Sequence, residues 1–192
     1  MQARPTFAAV LLAACPCAAL AAPEGYTLDP NHTFPSFEVV HFGVSVSRGK
    51  FTRTSGKAVI DRAAKTGSID ITVAAASVDI GHERLNNHLR SKDFFNVEQF
   101  PTVTYKADAI KFDGDTPASV EGNLTMLGVT RPVTLSLNWF KCFVHPMMKK
   151  EVCGADGTAT IKRSEFGMKF GLPTAVGDDI KLLIQVEAVQ EK

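Results

Sequence analysis

VTLSLNWF, residues 133–140, alternates without a break: Val133, Leu135, Leu137 and Trp139 are apolar, and Thr134, Ser136 and Asn138 between them are polar. A period of two places successive side chains on opposite faces, so this segment reads as an antiparallel strand with one face buried and one in water. Its odd-numbered positions, Trp139 included, are expected to face the interior.

The same signature recurs on both sides. It is found in SFEVVHF (Phe37, Val39, His41), SIDITVAA (Ile69, Ile71, Val73), PTVTYKA (Val103, Tyr105), SVEGNLTML (Val120, Leu124, Met126) and DIKLLIQVEAV (Leu182, Ile184, Val186), with weaker runs in GKFTRTSGKAVID and GTATIKR. Turn residues separate the runs: Lys65-Thr66-Gly67, Asp113-Gly114-Asp115 and the segment Leu127 to Pro132. The count is eight strands joined by short turns, an up-and-down meander forming a sandwich or a closed barrel. Closure removes exposed strand edges, and eight strands enclose just enough room for one small ligand. The inward faces supply Phe, Ile, Leu, Val, Met, Tyr and Trp, so any cavity is greasy; the same side chains would equally serve to fill a core.

The first 22 residues, MQARPTFAAVLLAACPCAALAA, have the form of a secretory signal: one cation, Arg4, an apolar run, then small residues with Ala19 and Ala21 at a cleavage spacing. Cleavage after Ala21 makes residues 1–21 the signal peptide. Residues 22–192, about 170 in all, form one domain large enough for a real core. Leu12-Ala13-Ala14-Cys15 also fits a lipoprotein box, which would anchor the chain at Cys15. The net charge of +1 falls to zero once Arg4 is removed, against the cationic surplus that nucleic-acid binding requires. No later segment approaches the apolar length of a membrane-spanning helix. Periplasmic secretion is the expected location.

Outside the signal the cysteines are Cys142 and Cys153, bracketing CFVHPMMKKEVC. In an oxidising compartment they are most simply a disulfide, worth about 3 kcal/mol on the chain-entropy model. The spacing is neither a redox C-x-x-C pair nor a zinc site.

Catalytic signatures are missing. In GHERLNNHLRSKDFF (81–95) His82 and His88 are six residues apart, some 240° around a helix at about 100° per residue, so they cannot grip one metal from one face. GVSVSRGKF has one residue too many for a phosphate loop and a phenylalanine where a hydroxyl should ligate magnesium. There is no G-x-S-x-G elbow, and the carboxylates scatter over turns and outer faces. The expectation is no catalytic residue, no metal and no cofactor.

Five stretches in order, YTLDPNHTFPSFEVVHFG, NNHLRSKDFFNVEQFPTVTY, GNLTMLGVTRPVTL, RSEFGMKFGLPTAVGDDIKL and IQVEAVQEK, together resemble the YceI-like family of bacterial periplasmic proteins that bind polyisoprenoid and related long-chain lipids. The resemblance runs from Tyr26 to Lys192. It implies an all-β fold: a single eight-stranded antiparallel lipocalin-like barrel with one short helical connection, whose pore holds one lipid chain. It also makes 81–95 that connection, with Leu85, Leu89 and Phe94 capping the core. CFVHPMMKKEVC lies outside the common family core and is expected to be an inserted loop, restrained by its disulfide, over one end of the barrel.

On this reading the pore is lined by Phe37, Val39, His41, Ile71, Val73, Tyr105, Met126, Leu135, Leu137, Met168, Phe170 and Ile184. Arg84, Arg90 and Lys92 are rim candidates for a head group, with salt bridges to Asp79, Glu83 or Asp93 as the alternative. The ligand is a long-chain isoprenoid or acyl lipid: polyprenyl, quinone, fatty acid or amide. Two other classes stay open. One is a periplasmic protein–protein interaction or stress-response module with a filled core. The other is an enzyme acting on its lipid, for which only His41 and Tyr105 are polar groups on inward faces. A homodimer would suit an exposed strand face.

Overall fold

A computed structural model describes residues 22–192; the signal-peptide and Cys15 anchor expectations lie outside the described residues. The strands are β1 (Glu24–Leu28), β2 (Phe34–His41), β3 (Ser45–Phe51), β4 (Thr54–Asp61), β5 (Thr66–Ala74), β6 (Val78–Asp79), β7 (Thr102–Asp113), β8 (Thr116–Met126), β9 (Val129–Val144), β10 (Glu151–Lys162) and β11 (Val176–Gln190). One helix, α1 (Glu83–Arg90), precedes β7.

Every pairing is antiparallel, and β1 closes the sheet by pairing with both β4 and β11. The ring β1-β4-β5-β7-β8-β9-β10-β11 is a closed eight-stranded barrel. The remaining segments extend it at one end, because three of the eight strands are bent. β1 continues into β2, β3 into β4, and β5 through a 3-10 turn (Ala75–Ser77) into β6. Side chains mend the ladder at the bends. The Thr33 hydroxyl donates to the Glu187 carbonyl at 3.2 Å and accepts from the Glu187 amide at 3.3 Å, and the Ser77 hydroxyl accepts from the Arg53 amide at 3.1 Å. Buried backbone groups left open by a kink would otherwise each cost more than the bond itself is worth.

The expected eight strands are therefore found as eight long strands, with two differences of detail. Sequence reading missed β1 altogether. It also misphased the end of VTLSLNWF. Between β9 and β10, Trp139 faces Asp156 and Leu137 faces Gly157, so Asn138 is an extra residue without a partner. A bulge of this kind reverses which side chains face inward. Val133, Leu135 and Leu137 point into the barrel as expected, but Trp139 is turned out and 60% exposed, and Phe140 takes its place inside.

The CFVHPMMKKEVC segment is not a loop lying over the barrel. Its two ends prolong β9 and β10, Cys142 and Cys153 are direct cross-strand partners, and they form the expected disulfide. Only the residues between Val144 and Glu151 turn. At the opposite end, β8 and β9 join through Leu127 and Gly128, both with positive φ (52° and 74°), the two-residue turn that matches strand twist.

Candidate functional site: an apolar pore

The interior is not filled. A cavity of about 790 Å³ runs along the inside of the barrel, walled by side chains from nearly every strand. All twelve side chains named above line it. Phe37, Val39 and His41 come from β2, Ile71 and Val73 from β5, Tyr105 from β7, Met126 from β8, Leu135 and Leu137 from β9, and Ile184 from β11; Met168 and Phe170 come from the segment before β11.

One end is open. Phe42, Leu85 and Phe170 line the cavity and are nonetheless between 46% and 59% exposed, so the pore reaches the surface between the β2–β3 turn, α1 and the 167–175 segment. His88 of α1 packs edge-on against Phe94 and Phe170, at 5.0 and 5.1 Å between ring centres, and lies 3.1 Å from Asp93. The helix forms where expected; its Leu85, His88 and Leu89 face the pore, while Asn86 is buried and holds the Ile80 amide and Asp79.

The other end is sealed. Tyr26, Ile60, Cys153 and Ala188 line the cavity there and are buried. The Tyr26 hydroxyl lies 2.6 Å from Glu151 and accepts from Arg62 at 3.0 Å; Arg62 also bonds Glu24 and Glu151. Burial opposes ionisation of Glu151, but the hydrogen bonds from Tyr26 and Arg62 outweigh it and hold the carboxyl below its usual range. Burial, reinforced by the two carboxylates, drives the Tyr26 phenol well above its ordinary value.

Polar groups in the wall are few and mostly committed to the fold. Gly122 leaves the space that lets the Tyr105 ring lie along the wall, since a Cβ there would come within 2.7 Å of the ring. The Tyr105 hydroxyl then reaches the carbonyls of Val120 (3.0 Å) and Val133 (2.9 Å), and burial pushes its pKa up to about 12. Arg163, fully buried, donates to the carbonyls of Gly177, Met168 and Val176. It pins the segment that forms one side of the mouth, and burial lowers its pKa. Thr54 Oγ1 is the one buried side-chain polar atom without a partner among the described residues.

The three rim candidates part company. Arg90 is used by the fold: it donates to the carbonyls of Ala76 (2.9 Å) and Val78 (3.4 Å) and to Glu83 (3.2 Å). Arg84 and Lys92 are exposed and make no side-chain bond among the described residues. One grouping of potential metal ligands, Cys142, Glu151 and Cys153, occurs among the described residues, but both sulfurs are spent in the disulfide.

Several wall residues escaped sequence reading. Tyr26 alternates with Thr27 and Leu28, a signal too short to stand out in a five-residue strand. Phe140 is hidden by the bulge, and Arg163 has no pattern signal, because an arginine reads as exposed by default.

A sequence profile of the YceI-like domain matches residues 26–188. The chain belongs to the YceI-like family. It is 32% identical over 188 residues to Protein YceI of Escherichia coli O157:H7, covering 97% of this chain and 96% of that one. Among solved structures, BcnA of Burkholderia cenocepacia superposes with a TM-score of 0.70 at 23% identity, over 83% of this chain and 98% of BcnA. A polyisoprenoid binding domain from Saccharophagus degradans superposes with a TM-score of 0.65 at 14% identity, over 86% of this chain and 98% of that domain. At these identities the two structures show the shared YceI-like barrel.

Proposed function

We propose that this YceI-like barrel is a non-enzymatic carrier that takes one long hydrocarbon chain, an isoprenoid or related lipid such as a polyprenyl, quinone, fatty acid or fatty amide, into its pore. The observation that carries the proposal is the cavity itself: about 790 Å³, apolar along its length, open at one end and sealed at the other. Each methylene transferred from water to such a wall contributes about 0.8 kcal/mol, so chain length supplies affinity, and the few polar groups at the mouth are left to orient a head group. The polyisoprenoid-binding description of the Saccharophagus degradans neighbour supports this class of ligand. Carriage through an aqueous space fits the periplasmic location that the N-terminal residues suggest.

Chemistry on the bound lipid finds little support. Of the two inward polar groups read from the sequence, His41 stands at the mouth and Tyr105 is held in the wall by two carbonyls, so they form no acid–base pair. Leu135→Asp and Ile71→Asp each place a carboxylate against the chain. Both variants are expected to lose prenyl-lipid binding in a tryptophan-independent displacement assay while keeping the wild-type circular dichroism spectrum. Undiminished binding by both folded variants would remove the pore from the account.

A further inference from the structure

We infer that the open end of the barrel is a membrane-docking face, which seats the pore mouth in the head-group region of a bilayer containing anionic phospholipid. The inference rests on the reading of the pore as a lipid site and adds where and how the lipid enters. Six large apolar side chains, Val40, Phe42, Val44, Val46, Leu85 and Phe170, remain 42–84% exposed at this end. They come from three separate segments that meet there: the Phe42 amide donates to the Ala175 carbonyl at 2.9 Å, and Phe170 packs edge-on against His88 of α1. Apolar exposure gathered in one place marks an interaction surface.

The patch is continuous with the pore, because Phe42, Leu85 and Phe170 belong to both. A chain leaving the pore over these side chains would enter a bilayer without crossing water. The patch also has a defined depth. On the β2–β3 hairpin Val40 pairs with Val46, and the next outward pair is Glu38 with Arg48, an ion pair of 2.7 Å. The apolar tip therefore ends one outward pair up the strand, about 7 Å at strand rise, which matches the 5–10 Å to which interfacial elements sink. Phe42 at the tip has a φ of 49°, a conformation that bulky residues rarely adopt.

Cations stand directly beside the apolar side chains at this end. Arg84, Lys92 and Lys169 are exposed and have no ion-pair partner among the described residues, and Arg84 and Lys169 directly precede the exposed Leu85 and Phe170. Of the acids near α1, Glu83 pairs with Arg90 and Asp93 hydrogen-bonds His88, while Glu98 and Glu165 are exposed without an ion-pair partner among the described residues; what bears on an anionic surface is therefore the placing of Arg84 and Lys169 next to the apolar side chains. Cations flanking apolar side chains let the stems lie in the interface while the charges meet phosphate. The far end is also apolar, at Trp139, Phe143 and Val144 of β9 and at Met147 and Met148 of the β9–β10 turn, but the pore beneath it is closed by Tyr26, Arg62 and Glu151, so it offers no passage.

The single tryptophan, Trp139, lies on the outer face of β9 in the half nearer that far end and makes the test internal. Vesicles of phosphatidylethanolamine and phosphatidylglycerol at 3:1, with brominated acyl chains, are mixed with the wild type and with a Trp139→Phe/Phe42→Trp variant. The double variant should show a blue shift and strong quenching, and the wild type neither. Vesicle co-sedimentation should fall at least tenfold in Val44→Asp and in Arg84→Glu/Lys169→Glu. Val44 and Lys169 do not line the pore, so Val44→Asp should still take up prenyl lipid from detergent micelles at wild-type affinity while losing uptake from vesicles. Quenching of Trp139 without quenching of Trp at 42, or no vesicle association at all, overturns the docking face. Loss of micellar uptake by the wild type overturns instead the pore reading beneath it.

Discussion

Ala155 offers a quantitative test of a pore that is graded by depth. It sits in register between Phe140 of β9 and Val186 of β11, both of which line the cavity towards its sealed end. Ala155→Leu adds three carbons to space that a long ligand occupies and that is empty without one. At about 0.8 kcal/mol per carbon buried, the substitution should stabilise the ligand-free protein by about 2 kcal/mol, in line with about 24 cal/mol for each Å³ of cavity removed. A chain long enough to reach Ala155 loses the same three positions. Its affinity should fall by about 2.4 kcal/mol, roughly 50-fold. A chain too short to reach that depth should bind as before. Calorimetric titration with prenyl alcohols from ten to forty carbons, together with denaturant unfolding of the lipid-free protein, measures both effects. An equal loss for short and long alcohols, or no loss with either, would refute the reasoning.

Reduction of the Cys142–Cys153 bond, or Cys142→Ser/Cys153→Ser, should lower unfolding stability by about 3 kcal/mol on the chain-entropy model, read as a shift in denaturant midpoint at unchanged slope. Arg163→Met orphans the carbonyls of Met168, Val176 and Gly177, at about 1 kcal/mol or more for each bond lost, so a destabilisation of about 3 kcal/mol and a loosened mouth are expected in unfolding and hydrogen-exchange measurements. Glu151 has a folded pKa below its ordinary 4.5, so the stability it contributes is complete above that pH and is lost as pH falls through the folded value. Glu151→Gln should be less stable than wild type at neutral pH, and the gap should close below about pH 4.5 in acid-unfolding series.

What could be read from the chain, and what could not, follows from the physics of each element. Where a strand keeps one residue per rung, period-two alternation alone indicates which side chains face inward, as along Phe37-Val39-His41 and Leu182-Ile184-Val186. The Asn138 bulge adds one residue whose cost is local, and no hydrophobic pattern announces it; Trp139 consequently reads as interior when it is outside. Whether the inward side chains meet or leave a pore depends on barrel diameter, a property of strand number and stagger rather than of any residue. Cations at the mouth were visible as residue types, yet only coordinates separate Arg90, absorbed by backbone carbonyls, from Arg84 and Lys92. The disulfide follows from two cysteines, whereas the hairpin that carries it depends on the pairing of β9 with β10.

The central claim is that the pore holds one long lipid chain. Native mass spectrometry of the protein purified without a tag from a bacterial envelope, followed by organic extraction and identification of what is released, tests it most directly. The account predicts a one-to-one complex with a long-chain isoprenoid, quinone, fatty acid or fatty amide. A lipid-free mass that persists after incubation with such lipids would contradict it.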